Sequence, residues 1–155
     1  MVGDRKRDGS RGRKNVLVFD EETVILDLLA LVLSREGLQV TTTTRHEEAL
    51  GLFSRGTFDL AIADLGLHNG NGRRLVQKIK EISPKTAIVS MAAYPAGEIQ
   101  SFAEEHTAAF LAKPFELSEL LAAVRSALGR GSVKESGPDR AFASRQGLPV
   151  AAVSG

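Results

Sequence analysis

The sequence predicts an α/β protein in which five parallel strands form a sheet covered by helices on both faces. The first observation is that short apolar runs alternate along the chain with amphipathic stretches of helical period. The second is that the apolar runs are bounded by polar or turn residues, which is typical of strands buried on both faces. Alternating strands and helices connect by right-handed crossovers into a parallel sheet. We therefore predict one three-layer, doubly wound domain over residues 14–129.

The predicted strands are the runs 16–19, 38–43, 60–63, 86–91 and 108–111. Threonines favour a strand in the second run, because β-branched side chains pack well on a pleated surface. The predicted helices are 23–34, 46–54, 73–82, 97–105 and 117–128. The first has an apolar stripe at positions 25, 28, 29, 32 and 33. Gly37, Ser83-Pro84 and Gly129 stand where the first, third and fifth helices should end.

Both ends of the chain differ in composition from the domain. Residues 1–13 form a basic, glycine-containing arm with little to bury, and we predict that it is disordered. Residues 130–155 are rich in Gly, Ser, Pro and Ala, lack periodicity and are too few for a further domain. We predict a disordered tail there. Nucleic-acid binding is disfavoured, since only the arm is basic and no helix-turn-helix follows the domain.

Bulk composition indicates a soluble protein. A net charge of +1, 43% apolar and 25% charged residues are ordinary for a globular domain. The absence of cysteine excludes disulfide and thiolate chemistry. The apolar stretch from Val24 to Leu33 is interrupted by Asp27 and is too short to span a bilayer. We therefore predict a cytoplasmic protein that does not associate with membranes.

Acidic residues and one lysine directly follow three of the predicted strands. The acidic triplet 20–22 follows the first strand, Asp64 the third and Lys113 the fifth. Functional groups collect at the carboxyl ends of strands in an open α/β sheet, so these residues should share one edge. Clustered carboxylates suit a hard cation such as Mg²⁺. Taken singly, they have simpler interpretations as a helix cap, a turn acid and a surface lysine.

Four segments resemble the receiver domain of bacterial two-component response regulators. They are VLVFDEE (16–22), FDLAIADLGLHNGNG (58–72), IVSMAAYP (88–95) and AAFLAKPF (108–115). The resemblance extends over residues 14–129. It implies the flavodoxin-like fold of the chemotaxis regulators, with strand order 2-1-3-4-5.

The resemblance also implies the roles of the site residues. Asp64 is then the phosphoacceptor, which takes a phosphoryl group from a histidine kinase or a phosphotransfer protein. Mg²⁺ is then coordinated by Glu21, Asp64 and the backbone carbonyl of Gly66, with Asp20 acting through water, and Lys113 pairs with the phosphoryl oxygens. This chemistry is physically sound, because a carboxylate can form an acyl phosphate and phosphoryl transfer depends on positioning and charge neutralisation.

Two positions that transmit the signal in this family depart from its pattern. Ala92 stands where the family has Ser or Thr, and alanine cannot donate a hydrogen bond. Ser90 shares that strand face but should lie about 6–7 Å deeper. Phe110 occupies the aromatic switch position, often Tyr, and has no hydroxyl. We predict that phosphorylation is retained and that its coupling to the fourth helix is weakened.

The loop after Asp64 departs from the family pattern at three positions, and the peptide bond before Pro114 is a candidate for the cis form. His68 replaces a frequent proline, and Asn69 and Asn71 replace frequent acids, which reduces the negative charge of the loop. X-Pro bonds can be cis in tight turns, so Lys113–Pro114 is a candidate cis peptide.

The leading hypothesis is a stand-alone receiver, a signalling protein and not an enzyme. Its unknown output protein, or a second copy in a homodimer, would bind the face formed by the fourth helix, the fifth strand and the fifth helix. Ala122, Arg125 and Ser126 are candidates for that exposed surface.

Two alternatives stay open. A degenerate receiver would act as a phosphorylation-independent interaction module, which Ala92 and His68 favour and the intact acid–lysine set opposes. A haloacid-dehalogenase-like phosphatase would use Asp20 as nucleophile and Glu22 as acid/base. That family needs a further acidic pair after its lysine, and the nearby candidates here, 116 and 119, fall on a predicted structural helix.

Overall fold

A computed structural model describes residues 12–66, 69–93 and 97–129. Within these ranges the strands are β1 (Asn15–Phe19), β2 (Gln39–Thr43), β3 (Leu60–Asp64), β4 (Ala87–Ala92) and β5 (Ala109–Ala112). The helices are α1 (Thr23–Arg35), α2 (His46–Arg55), α3 (Asn71–Ile82), α4 (Gly97–His106) and α5 (Leu117–Ala127). Every predicted element is present, with boundaries shifted by at most a few residues.

The strands form one parallel sheet in the order β2-β1-β3-β4-β5. Helices cover both faces, so the predicted three-layer, flavodoxin-like fold is confirmed. Alternation along β1 shows how the layers form: Val16 and Val18 point to one face, Leu17 and Phe19 to the other. The first face packs against α1 and α5, and the second against α2, α3 and α4. All five residues of β3 are buried, as expected for the central strand.

Strand order and register bring the site residues together. Phe19 at the end of β1 pairs with Ala63 on β3, so Asp20, directly after β1, lies beside Asp64, the last residue of β3. At the end of β4, Ala92 pairs with Ala112, and the backbone N–H of Lys113 donates to the carbonyl of Ala92 at 2.9 Å. Parallel strands place these carboxyl ends at one edge of the sheet.

Gly72 permits the first turn of α3 to lie against the end of β3. A Cβ at this position would come within 1.8 Å of the backbone oxygen of Asp64. We expect Gly72→Ala to lower the free energy of unfolding by about 1–3 kcal/mol, because the end of β3 that carries Asp64 or the first turn of α3 would have to move. Urea denaturation measures this loss.

Gly51→Ala is the matched control for that measurement. Gly51 lies inside α2, and its added Cβ would meet only the end of the Arg55 side chain, at 3.1 Å. Alanine is a better helix former than glycine, so this variant should be as stable as the wild type or more so. Equal stability of the two alanine variants would contradict the close approach at Gly72.

Several predictions concern residues outside the described ranges. These are the basic arm up to residue 11, the tail 130–155 and His68. None of the helices in the described part of the chain is long and apolar enough to cross a membrane.

Candidate functional site

A cavity of about 650 Å³ opens at the carboxyl edge of the sheet. Its lining combines the predicted acids and lysine with an apolar wall from α1 and the segment after β5. The lining residues are Asp20, Glu21, Glu22, Ile25, Leu28, Asp64, Gly66, Ala93, Lys113, Pro114 and Phe115. The structure therefore brings the acidic triplet, Asp64 and Lys113 to one place.

Lys113 connects the acids. Its Nζ donates to Oδ2 of Asp20 at 2.8 Å and to Oδ2 of Asp64 at 3.0 Å, and lies 3.8 Å from Oε1 of Glu22. The side chains of Lys113, Asp20 and Asp64 are 12%, 0% and 7% exposed. Charges this well shielded from water interact more strongly than surface ion pairs. The Lys113–Pro114 peptide bond that follows is cis.

The pKa values of Asp20 and Lys113 are both raised above their ordinary values. Burial raises the pKa of Asp20, and the nearby Asp64 carboxylate adds to this, while hydrogen bonds from Lys113 and the backbone N–H of Glu22 partly oppose it. Burial alone would lower the pKa of Lys113, but its hydrogen bonds and attraction to Asp20 and Asp64 outweigh burial and raise that pKa above its ordinary value. Lys113 is therefore a permanent cation at neutral pH.

Asp64 is held on both carboxylate oxygens. Oδ1 accepts the backbone N–H of Gly66 at 2.9 Å, and Oδ2 accepts from Lys113. The N–H of Leu65 donates to the carbonyl of Met91 at 2.7 Å, which ties the start of the loop to β4. These bonds fix the orientation of the carboxylate at the base of the cavity.

The donor set fits Mg²⁺. Asp20, Glu21, Asp64 and Gly66 all line the cavity and offer oxygen atoms only. Among the described residues, no group of three or more His, Cys, Asp or Glu side chains is placed to hold a metal ion by itself, so water and the Gly66 carbonyl would have to complete the coordination. An open site with few protein ligands suits Mg²⁺, because this ion keeps several of its waters.

The two switch positions, Ala92 and Phe110, are both buried. Ala92 is buried, and its Cβ is 3.6 Å from the point where a Cβ on Gly66 would stand, so its methyl group faces the loop after Asp64. Ser90 is not a substitute, because its hydroxyl bonds to Thr107 Oγ1 at 3.0 Å and to the carbonyl of Ala109. Phe110 is 3% exposed and packs in the core on the side of α3 and α4.

The surface expected around α4, β5 and α5 is only partly as predicted. Ala122 is exposed, but Ser126 is half-buried. Arg125 is exposed and forms an ion pair with Glu36 at 3.3 Å, directly after α1. Arg125 is therefore on the side of α5 that faces α1. Exposure is as predicted for Ala122 and Arg125 and lower than predicted for Ser126, and the role of this face as an output surface stays a prediction.

An apolar ridge on the outer side of α1 was not predicted from the sequence. Val24, Leu28 and Leu31 are 74%, 41% and 51% exposed, one helical turn apart from one to the next. Leu28 was expected in the inner stripe, yet it lines the cavity mouth. The signal was present in the sequence, since apolar residues occupy more of α1 than one buried face requires.

The doubly wound sheet with acids and a lysine at its carboxyl edge defines a class of protein, and comparisons with known proteins identify it. Residues 16–125 match the response regulator receiver domain. The chain belongs to this family, whose members are typically signalling modules of two-component systems, with phosphorylation on an aspartate and binding of Mg²⁺.

Individual relatives agree with this assignment. The chain is 34% identical over 119 residues to the response regulator protein PilR of Pseudomonas aeruginosa, which covers 75% of the chain but only 26% of PilR. A CheY-like receiver from Methanospirillum hungatei is similar in structure, with a TM-score of 0.70 and 27% identity over 74% of this chain and 93% of that one. A Burkholderia pseudomallei response regulator with a phosphorylated aspartic acid and a calcium ion has a TM-score of 0.67 and 29% identity over 75% of this chain and 69% of that one.

Proposed function

We propose that the chain accepts a phosphoryl group on Asp64 from the phosphohistidine of a kinase or phosphotransfer protein. The observation that carries this proposal is the position of Lys113 Nζ, within 3.0 Å of both buried carboxylates at the base of one open cavity. Here a cation and a nucleophilic carboxylate face the same cavity.

The proposed reaction needs little from the protein beyond position and charge. A carboxylate oxygen of Asp64 forms a bond to phosphorus, the bond from phosphorus to the histidine nitrogen breaks, and the histidine nitrogen retains the electron pair. Lys113 neutralises charge on the phosphoryl oxygens. Asp20, Glu21, Asp64 and the Gly66 carbonyl would hold Mg²⁺, which when bound neutralises the remaining negative charge of the acids and the phosphoryl group.

The donor protein is expected to dock on the apolar ridge of α1. The ridge formed by Val24, Leu28 and Leu31 borders the cavity through Leu28. An exposed apolar stripe beside a polar site is typical of a protein-binding surface, and a helix of the donor could pack along it. Contact there would place a phosphohistidine over Asp64.

The test is phosphorylation by acetyl phosphate with Mg²⁺, followed by intact mass measurement. Wild type should gain the mass of one phosphoryl group, and Asp64→Asn should gain none. Asp27→Asn is the matched control, since it removes an exposed carboxylate of α1 and should be phosphorylated like wild type. No adduct on wild type, or an adduct that survives Asp64→Asn, would contradict the proposal.

A second candidate function, a receiver whose output does not depend on phosphorylation, is favoured by Ala92. With a methyl group in place of the hydroxyl, and Ser90 bonded to Thr107, no described hydroxyl of β4 faces the phosphoryl site. Amide hydrogen exchange with the phosphoryl mimic beryllofluoride separates the two. Changed exchange in α4 supports a phosphorylation-driven output, whereas exchange unchanged outside the site supports the second function.

Two further expectations concern a phosphatase activity and the stand-alone arrangement of the chain. The phosphatase alternative has less support, because residues 16–125 match the response regulator receiver domain. The stand-alone arrangement stays a prediction: the chain spans about a quarter of the length of PilR. In our proposal the described domain signals by contact with a partner protein.

A further inference from the structure

A network of polar side chains links the loop between β3 and α3 to Glu21. Asn69 Nδ2 donates to Oε2 of Glu21 at 3.3 Å, although the residues are 48 positions apart. Asn69 Oδ1 accepts the backbone N–H of Asn71 at 2.9 Å. Only the amide oxygen can accept that bond, so the amide nitrogen must face Glu21. Asn69 therefore presents a fixed donor to the carboxylate.

Arg74 holds this loop in place from the first turn of α3. Its Nη2 donates to the backbone carbonyl of Asn69 at 3.0 Å, and its Nη1 donates to Oδ1 of Asn71 at 2.7 Å. Its backbone N–H also donates to the carbonyl of Gly70 at 3.1 Å. Three bonds from one residue restrain the turn, so the amide of Asn69 is directed toward Glu21 by structure built around it.

We infer that Asn69 is a positioning residue that makes the site prefer Mg²⁺ over Ca²⁺. The inference rests on the proposed function, in which Glu21 is a metal ligand. Because Asn69 donates to Oε2, one lone pair of that oxygen is occupied and the carboxylate is held in one orientation, which favours binding of a cation through Oε1 alone over binding through both oxygens. Mg²⁺ requires near-octahedral geometry and binds through few carboxylates, whereas Ca²⁺ takes 6–8 ligands and often binds both oxygens of a carboxylate.

Because the Asn69 amide is uncharged, its effect on metal binding can be distinguished from an effect of net charge. Asn69 adds no charge to the site, so its removal leaves the electrostatic attraction for any divalent cation unchanged. A change of charge would alter the affinity for Mg²⁺ and for Ca²⁺ alike, since both ions are divalent. A change in how Glu21 is held should alter them differently.

The experiment is calorimetric titration of the full chain with Mg²⁺ and, separately, with Ca²⁺. For Asn69→Ala we expect Mg²⁺ affinity to fall about tenfold, as for other residues that orient a metal ligand, and Ca²⁺ affinity to stay within about twofold. Arg74→Ala should shift the preference in the same direction, because it releases the loop while keeping Asn69. Lys78→Ala is the matched control: it also removes one cation from exposed α3 surface but does not contact the loop.

The other outcomes are equally informative. Equal loss of both affinities in Asn69→Ala, or no loss of either, would overturn the positioning role while leaving the proposed function intact. A wild type that binds neither cation would overturn both this role and the metal site of the proposed function. Thermal unfolding of each variant shows that the fold is kept, and Arg74→Ala provides the second test if Asn69→Ala unfolds.

Discussion

Lys113→Met is expected to destabilise the metal-free protein by about 3–5 kcal/mol, the cost of removing one partner from a buried ion pair. Asp20 would lose its 2.8 Å partner and Asp64 its 3.0 Å partner, with both carboxylates still shielded from water. Methionine matches the length of the lysine stem, so the loss reports on charge and hydrogen bonding. Urea denaturation in a chelating buffer measures it.

The same variant should lose phosphoryl transfer. Without the cation that faces the phosphoryl oxygens, the rate of phosphorylation by acetyl phosphate should fall about 10²- to 10³-fold, the usual effect of removing one electrostatic contact to a developing charge. Added Mg²⁺ should raise the melting temperature of Lys113→Met more than that of wild type, because it replaces part of the missing positive charge. Lys80→Met, on exposed surface of α3, is the control and should match wild type in all three measurements.

The contribution of Lys113 to the free energy of unfolding should depend on pH in one direction. The pKa of Lys113 is raised above its ordinary value of 10.5 by Asp20 and Asp64, which outweigh the opposing effect of burial. Its contribution to stability is therefore complete at and below neutral pH, and is lost only as the pH rises through the raised pKa. A difference between wild type and Lys113→Met that shrinks between pH 6 and pH 8 would contradict this assignment.

The fold and the place of the acidic residues were predictable because both follow from periodicity and strand ends. Asp64 follows a run of four apolar residues, and such a run in an alternating chain has one plausible role, a central strand. Once the strands are parallel, Asp20, Asp64 and Lys113 must share an edge. Local pattern and topology thus predict the candidate site without any knowledge of side-chain contacts.

Other features were not predictable, because they depend on which partner a side chain finds in space. The pairing of Arg125 with Glu36 depends on how α5 lies beside α1, which the sequence does not state. The bond between Asn69 and Glu21 joins loops 48 residues apart. Leu28 shows the limit of helical periodicity: when apolar residues extend beyond one face, the pattern does not say which of them is exposed.

Whether Ser90 could replace the hydroxyl that is missing at Ala92 depends on its partners in the folded chain. The sequence alone left Ser90 available as a hydroxyl donor on the same strand. In the structure its hydroxyl joins Thr107, whose own hydroxyl donates to the carbonyl of Ala103 in α4 at 2.7 Å. That network ties the end of α4 to β4, away from the cavity, and supports the prediction of weakened coupling between Asp64 and α4.

Asp20→Asn is expected to stabilise the metal-free protein and to remove its response to Mg²⁺. Burial and the neighbouring Asp64 raise the pKa of Asp20 above its ordinary value of 3.8, so the folded state binds a proton more tightly than the unfolded state. Stability therefore falls as the pH rises through that raised pKa, and the ionised carboxylate is unfavourable at neutral pH. Asparagine keeps one acceptor oxygen for the N–H of Glu22, and Lys113 keeps Asp64 as its partner, so the charge is removed at the cost of one hydrogen bond.

A gain of about 1 kcal/mol in the free energy of unfolding is expected for this variant at neutral pH in a chelating buffer, within the usual range for substitutions that relieve a destabilised functional site. With Mg²⁺ at 100 times its dissociation constant, wild type should gain about 2.7 kcal/mol, and the variant little, because it has lost a metal-binding carboxylate. The order of stability should therefore reverse when Mg²⁺ is added. Asp27→Asn, which removes an exposed carboxylate of α1, should show no such reversal. A variant that is less stable than wild type without metal would contradict this prediction. It would mean that the ion pair of Asp20 with Lys113 stabilises the metal-free protein by more than the burial of the Asp20 charge destabilises it.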